Sequence, residues 1–184
     1  MRPRFGVAAR PFRKPLVLLS PKSLLRHKDV RSSLAEMGPG TSFCEVLPAL
    51  SESELVPPDR VRRLIFCSGR VHVDLVAAIR EHARGGVSDV VVHLIEQIAP
   101  FPYQAVQSTL IRFPAAELVW CQEEPMNGGA WAYVRPRFET ACRAACTGHG
   151  TPAYIGRDPS AAPATGLAEL HRTELSALIA EAVK

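Results

Sequence analysis

Several signals are missing from this 184-residue sequence, and each absence argues against a class of function. No apolar run approaches the roughly 18 residues that a membrane helix needs, so we expect no membrane span and no membrane partner. The sequence has no GxGxxG motif, no GxxxxGKS or GxxxxGKT loop, and no GxSxG turn. The common dinucleotide-binding, nucleoside-triphosphate-binding and serine-hydrolase sites are therefore not predicted.

A disulfide framework and a metal site are also not predicted. The five cysteines are odd in number and form no CxxC pair. Cys44, Cys67 and Cys121 lie in or beside apolar strand-like runs, which predicts buried free thiols in a reducing compartment. Cys142 and Cys146 are one helical turn apart, but no histidine pair accompanies them at ligand spacing.

Acidic residues are absent from the first sixteen positions, which hold five basic residues: Arg2, Arg4, Arg10, Arg13 and Lys14. They contribute +5 to a net charge of +4, so the remainder of the chain sums to −1. Such a start is typical of a nucleic-acid-binding arm, an organellar transit peptide or a linker that docks on acidic protein surface. No interleaving of aromatic and basic residues follows it, so we expect no nucleic-acid partner.

What the sequence does contain is a regular alternation of apolar strands and amphipathic helices. The runs that predict strands are "KPLVLLSP", "FCEVLP", "RRLIFCSG", "SDVVVHLIEQI", "AELVWCQEE" and "PAYIGR". Strands that are apolar along their whole length are typical of a parallel sheet covered by helices on both faces. We therefore predict an α/β fold with three layers, in which a basic arm at 1–14 precedes one domain at 15–184.

Ligands of parallel α/β sheets bind at the carboxyl ends of the strands. The residues predicted at those ends form a charged rim: Ser20-Pro21-Lys22, Ser68-Gly69-Arg70, Glu96-Gln97, Gln122-Glu123-Glu124 and Gly156-Arg157-Asp158. No nucleophile in this rim has an identifiable adjacent base, so the residues by themselves predict no complete catalytic set.

The most unusual stretch of the rim is "VWCQEEPMNGGAW", in which two adjacent acids precede a glycine turn. Neighbouring residues on a strand face opposite ways, so Glu123 and Glu124 are not expected to converge on one substrate unless the strand has already ended. We predict that one acid lies near the N-terminus of the next helix and that the other meets a cation across an interface. Asn127 is the predicted helix cap, and Trp131 is predicted to begin the apolar helix face.

Five blocks of the sequence resemble the C-terminal domain of 2-oxoglutarate dehydrogenase, the thiamine-diphosphate-dependent first component of that complex. They are "RPFRKPLVLLSPKSLLRHKDVRSS", "LIFCSGRVHVDL", "IEQIAPFPYQAV", "AELVWCQEEPMNGGAW" and "GRDPSAAPATG". The resemblance extends from Arg10 to the end of the chain. It implies a fold like the C-terminal domain of transketolase, with a mostly parallel sheet and one antiparallel edge.

The resemblance also implies a function. The full enzyme is an oxidoreductase of the tricarboxylic acid cycle that decarboxylates 2-oxoglutarate on thiamine diphosphate and Mg²⁺, then passes the succinyl group to a lipoyl arm. Two preceding domains hold those cofactors, so this chain is expected to contribute no catalytic, cofactor-binding or metal-binding residue and to be inactive alone. The implied partners are the preceding thiamine-binding domains, a homodimer partner and the dihydrolipoyl succinyltransferase component. The implied compartment is the mitochondrial matrix, or the cytoplasm if the source is bacterial.

By resemblance, the glycine turn is an interface corner in which Glu123, Glu124, Asn127 and Trp131 contact the partner chain or the preceding domain. The basic arm is by the same argument a linker between domains rather than a transit peptide.

Some bacterial relatives carry an allosteric acetyl-CoA site, and Gln97 alone matches it here. Tyr103 and Gln104 stand where those relatives have arginines, and Ser42 falls near the position of their lysine. The alternative function is a free-standing regulatory or scaffold module of the same fold that binds an acyl-CoA or the dehydrogenase complex.

Overall fold

A computed structural model describes residue 15, residue 17 and residues 19–184. The described residues up to Cys44 belong to one compact unit, and Glu45–Lys184 form a second. The basic arm predicted at 1–14 lies outside the described residues. The boundary at residue 15 stays a prediction.

A five-stranded sheet in the order β1–β3–β2–β4–β5 forms the centre of the second unit. The strands are Val46–Pro48 (β1), Arg63–Cys67 (β2), Val90–Ile95 (β3), Glu117–Pro125 (β4) and Ala153–Arg157 (β5). β1 pairs antiparallel with β3 at one edge, and the other three pairings are parallel. The predicted α/β fold, with its mostly parallel sheet and single antiparallel edge, is confirmed.

Four α-helices cover the two faces of this sheet: Val71–Ala83 (α1), Tyr103–Arg112 (α2), Trp131–Ala145 (α3) and Ala168–Val183 (α4). α1 and α4 pack on one face, and α2 and α3 pack on the other. The structure thus has the three predicted layers. Among the described helices, none has the length and apolarity that crossing a bilayer would require.

Two apolar cores explain why the strands are apolar without alternation. Trp120 of β4 lies in the core under α2 and α3, whereas its neighbour Cys121 lies in the core under α1 and α4. Because successive residues of a strand point to opposite faces, a strand covered on both sides needs apolar residues at every position. Burial of each large side chain contributes roughly 1.5–3 kcal/mol to the stability of these cores.

Two arginines at the start of β2 fix the position of α4. Arg63 Nη1 donates to the carbonyl oxygens of Glu181 at 2.8 Å and Ala182 at 3.0 Å. Arg62 Nη2 donates to the carbonyl of Val183 at 3.3 Å. The last carbonyls of a helix lack partners within the helix and carry partial negative charge, so two guanidinium groups satisfy and stabilise this end.

The prediction of a buried strand at "KPLVLLSP" is wrong for the part of it that the structure describes. Residues 15, 17 and 19–21 belong to no strand, and Val17 and Leu19 are exposed. An apolar run forms a buried strand only where neighbouring strands and covering layers are available. Among the described residues of the first unit there is no strand, and none of residues 19–44 is buried.

The prediction of buried thiols is correct for Cys67 and Cys121 and wrong for Cys44, which is exposed. Cys67 and Cys121 lie opposite each other on β2 and β4. Burial raises the pKa of Cys121 to about 12 and raises that of Cys67 well above its usual range, so both groups stay neutral thiols. Cys142 is also buried, and Cys146 is exposed.

Candidate functional site

The predicted rim residues of the second unit lie together at the carboxyl ends of the strands, because β2, β3, β4 and β5 are parallel. There β4 ends at Pro125, and the chain turns through 126–130 into α3. We call residues 122–131 the β4–α3 corner. It contains the four residues predicted to form an interface.

Gln122 is the centre of the corner and is completely buried. Its Oε1 accepts hydrogen bonds from Trp120 Nε1 at 2.9 Å and from the backbone N–H of Trp131 at 3.0 Å. Its Nε2 donates towards three backbone carbonyl oxygens, those of Glu124, Pro125 and Gly128, at 3.0–3.2 Å. One buried amide therefore fixes the path of the chain from β4 into α3.

Sequence reasoning missed this role of Gln122. The available signal was a glutamine that directly follows an apolar run containing a tryptophan. A buried amide must find partners for both ends. The sequence does not show that those partners lie up to nine residues further along the chain.

Gly129 makes the tight turn around this amide possible. Its φ of +59° lies in the left-handed region that favours glycine. A Cβ atom at this position would also lie 3.0 Å from Gln122 Nε2 and 3.0 Å from Glu124 Cβ. The second glycine of the "NGG" sequence is therefore required by the turn and by the packing of Gln122.

Tyr154 of β5 supports the corner from the neighbouring strand. Its ring packs on Trp131 with the ring centroids 5.2 Å apart, and its hydroxyl lies 3.2 Å from the carbonyl of Glu124 and 3.0 Å from that of Arg157. Burial raises the pKa of Tyr154 to about 12, so the phenol remains a hydrogen-bond donor. Gly156 leaves space for it, since a Cβ there would lie 2.3 Å from the Tyr154 oxygen.

The prediction that Asn127 caps α3 is wrong, because the N-cap residue is Ala130. The Asn127 side chain instead pairs with the backbone of Ser160 in both directions. Its Nδ2 donates to the Ser160 carbonyl at 2.9 Å, and its Oδ1 accepts from the Ser160 N–H at 3.0 Å. Asn127 thus ties the corner to the loop between β5 and α4.

Glu123 and Glu124 do not converge, as the strand geometry predicts. Glu123 Oε1 lies 3.6 Å from Arg70 Nη1 and 3.7 Å from His171 Nε2, on the face covered by α1 and α4. Glu124 has its Cβ near Gly129, on the side of α3, and is exposed. Its carboxylate forms no ion pair with any residue that the structure describes. A cation of the same chain meets Glu123, and Glu124 is the acid that faces outwards.

Two arginines of the rim, Arg70 and Arg157, are also paired with acids of the same chain. Arg70 Nη2 lies 3.3 Å from Asp74 Oδ2, and Arg157 Nε lies 2.8 Å from Glu174 Oε2. The Glu174 carboxylate additionally accepts a hydrogen bond from the Thr165 hydroxyl at 2.7 Å. The geometry at Arg157 is an ion pair rather than an aligned hydrogen bond, because no acceptor lies in line with its Nε–H. These contacts neutralise the charges of Arg70 and Arg157. The Arg157–Glu174 pair also holds α4 against β5.

Gln97, the one residue predicted for an acyl-CoA site, has an amide that is bound within the second unit. Its Nε2 lies 3.0 Å from the Pro100 carbonyl and 3.4 Å from Glu45 Oε1. The acyl-CoA site stays a prediction. Over the part of the chain that the structure describes, no three side chains of histidine, cysteine, aspartate or glutamate are grouped so that they could hold a metal ion.

The fold and the rim define a class of protein: a three-layer α/β domain in which Arg70, Glu123 and Arg157 of the rim are ion-paired within the chain and the glycine turn is built on a buried amide. The family profile described as "2-oxoglutarate dehydrogenase C-terminal" matches residues 31–183 of the chain. The chain belongs to this family and is a C-terminal domain of the 2-oxoglutarate dehydrogenase type.

Longer proteins show the same relationship. The chain is 45% identical over 169 residues to "2-oxoglutarate dehydrogenase-like, mitochondrial" of Xenopus laevis, a match that covers 90% of this chain and 16% of the relative. It is 41% identical over 180 residues to "2-oxoglutarate dehydrogenase E1 component" of Brucella ovis, which covers 95% of this chain and 18% of the relative. The chain therefore spans about a sixth of the length of the curated relatives it matches.

Proposed function

We propose that this chain is the structural and dimerisation domain of a 2-oxoglutarate dehydrogenase first component and has no activity alone. The complete enzyme would decarboxylate 2-oxoglutarate on thiamine diphosphate and Mg²⁺ and pass the succinyl group to the lipoyl arm of the dihydrolipoyl succinyltransferase. The proposed compartment is the mitochondrial matrix, in keeping with the name of the Xenopus laevis relative.

The observation that carries this proposal is the pairing of Glu123 and Glu174 with arginines of the same chain. General acid–base catalysis needs a titratable group within hydrogen-bond reach of a bound substrate. Glu123 and Glu174 instead face arginines of the same chain. The rim thus supports a fixed surface better than it supports a reaction.

Mg²⁺ bound together with a diphosphate takes oxygen ligands, usually including one or two carboxylates. Glu123, on the rim, already faces Arg70 and His171, and no three histidine, cysteine, aspartate or glutamate side chains are grouped as metal ligands among the described residues, so this part of the chain is a poor fit for the metal. We therefore assign the thiamine diphosphate and Mg²⁺ to the preceding domains and derive no chemical step through them for this chain.

The corner has the properties of a pre-organised contact surface. Trp131 is buried, Asn127 is bound to Ser160, and Glu123 is ion-paired, so these residues hold the turn in one conformation. Glu124 and Met126 are exposed on the turn. A surface that is already ordered loses less conformational entropy when a partner binds. In the proposed dimer, Glu124 and Met126 make the contacts and the other three residues position them.

Replacing Glu124 by lysine is expected to weaken dimerisation of the chain by about tenfold or more, because reversing an interface charge makes a favourable contact repulsive. Sedimentation velocity over a range of protein concentrations measures the dissociation constant. Glu81→Lys is the matched control, since Glu81 is also exposed but lies at the far end of α1 from the corner. Equal sedimentation of the Glu124→Lys variant and the unmodified chain, or a chain that stays monomeric throughout, would count against the proposed dimer contact.

A further inference from the structure

The first unit exposes a series of large apolar side chains. The exposed fractions are 78% for Val17, 93% for Leu19, 73% for Leu25, 84% for Leu34 and 58% for Met37. None of residues 19–44 is buried, including those in the short 3₁₀ helices Lys22–Arg26 and Leu34–Met37. So many exposed large apolar side chains in one short segment favour a contact with another protein surface.

The sequence around Val17 and Leu19 is that of a buried strand. In the run "PLVLLSP" four consecutive apolar residues, 16–19, precede a serine and a proline, and an apolar run without alternation is the pattern of a strand covered on both faces. β2 and β3 have the same pattern and lie in the centre of the sheet of the second unit. The run through Val17 and Leu19 has the composition of a central strand. The described residues before Val46 form no sheet that it could join.

The run lies outside the region that the C-terminal family profile matches. The family profile begins at residue 31. The similarity to the Brucella ovis relative covers 95% of the chain, so it leaves out only about nine of the 184 residues and extends well before residue 31. The run is therefore shared with a much longer enzyme but lies outside the part of it that the C-terminal profile describes.

We propose that the run containing Val17 and Leu19 adds as a β-strand to an open sheet edge of the neighbouring, non-C-terminal part of a 2-oxoglutarate dehydrogenase polypeptide. This inference rests on the proposed function. Val17 and Leu19 are two residues apart, so they enter the same face of that sheet. Strand addition supplies backbone hydrogen bonds, and alternate side chains fill apolar pockets. Leu25 and Leu34 then extend the buried surface beyond the strand.

The test is co-expression of the 184-residue chain, carrying an affinity tag, with the Brucella ovis relative shortened by the region that matches this chain. We expect a soluble complex with equal numbers of the two chains, measured by size-exclusion chromatography with light scattering. The double substitution Val17→Asp and Leu19→Asp is expected to weaken the complex by about a hundredfold, because two carboxylates would be buried in apolar pockets. Leu19→Pro keeps the apolar surface but removes a backbone N–H, and it should weaken strand pairing by about tenfold.

Val87→Asp is the matched control, because Val87 is 56% exposed but lies in the second unit. Its binding should equal that of the unmodified chain. All variants should unfold at the same temperature as that chain, since the substituted side chains are exposed. A melting temperature lowered by Val17→Asp and Leu19→Asp would show that these residues are buried within the chain itself and would overturn the proposal.

The outcomes separate the two proposals. Unchanged binding of the Val17→Asp and Leu19→Asp variant, or of Leu19→Pro, would overturn the strand addition and leave the proposed function standing. If the unmodified chain forms no complex, the proposed function is overturned. The proposed strand addition is then overturned as well. Self-association of the chain alone that disappears in the double variant would assign the surface to a second copy and would also overturn the inference.

Discussion

Replacing Gln122 by leucine is expected to lower the free energy of unfolding by about 3–5 kcal/mol, the largest effect of any single substitution considered for this chain. Leucine is similar in size but offers no polar atom to Trp120 Nε1 or to the N–H of Trp131. The carbonyl oxygens of Glu124, Pro125 and Gly128 each lose one donor as well. Those of Glu124 and Pro125 still accept from the Tyr154 hydroxyl and the Gly128 N–H. A buried polar group left without a partner costs roughly 1–3 kcal/mol, and some of these groups will gain water as the corner loosens.

Urea denaturation followed by tryptophan fluorescence measures this loss directly. The chain has two tryptophans, and both hydrogen-bond to Gln122, so the signal reports on the corner. Gln104→Leu is the matched control, because Gln104 is exposed on α2 and its substitution should change stability by no more than about 0.5 kcal/mol. If both variants lose stability equally, Gln122 is not the centre of the corner.

Acidification from pH 7 to pH 5 is expected to lower the stability of the unmodified chain by about 2 kcal/mol through His93. His93 is buried on β3 between the rings of Phe66 and Phe113, and its Nδ1 has no hydrogen-bond partner among the residues that the structure describes. Burial, together with the Arg112 charge, lowers the pKa of His93 to about 4, although Glu52 acts in the opposite direction. The neutral imidazole is therefore the form that the folded chain requires.

The sign of the effect follows from proton linkage. Above pH 6.5 the histidine is neutral in both the folded and the unfolded chain, so it contributes no pH dependence. Between pH 6.5 and pH 4 the unfolded chain binds a proton that the folded chain does not, so stability falls as the pH falls. His93→Phe keeps an aromatic ring between its neighbours and should largely abolish this slope.

Two comparisons isolate the contribution of His93. A hydrogen bond from Arg80 is the main cause that lowers the pKa of Glu54 to about 2, so the stability that Glu54 contributes is lost only below pH 4.5 and through pH 2. Measurements between pH 7 and pH 5 therefore avoid it. His82→Gln, at an exposed position of α1, should leave the slope unchanged. A slope that persists in His93→Phe would contradict the assignment.

The parts of the fold that the sequence predicts are those governed by local pattern. β2 to β5 appear where apolar runs indicate them, because two-sided burial demands apolar residues at every position. The apolar face of α3 through Trp131, Val134 and Phe138 is buried as its helical spacing predicts. The opposite orientation of Glu123 and Glu124 also follows from strand geometry alone.

The parts that could not be predicted depend on contacts between residues far apart in the sequence. Asn127 has the composition of a helix cap, but a loop 33 residues away offers its amide a better pair of partners. The run through Val17 and Leu19 has the pattern of a buried strand, and only the described structure shows these side chains exposed. An apolar run indicates that a strand is buried between two layers. It does not indicate which polypeptide provides those layers.

Incubation of the purified 184-residue chain with 2-oxoglutarate, thiamine diphosphate and Mg²⁺ tests most directly whether its role is to support chemistry located elsewhere. Carbon dioxide release at the rate of a protein-free control is the predicted result, since Glu123 and Glu174 face arginines of their own chain. Repeated turnover by this chain without any added protein would contradict the account.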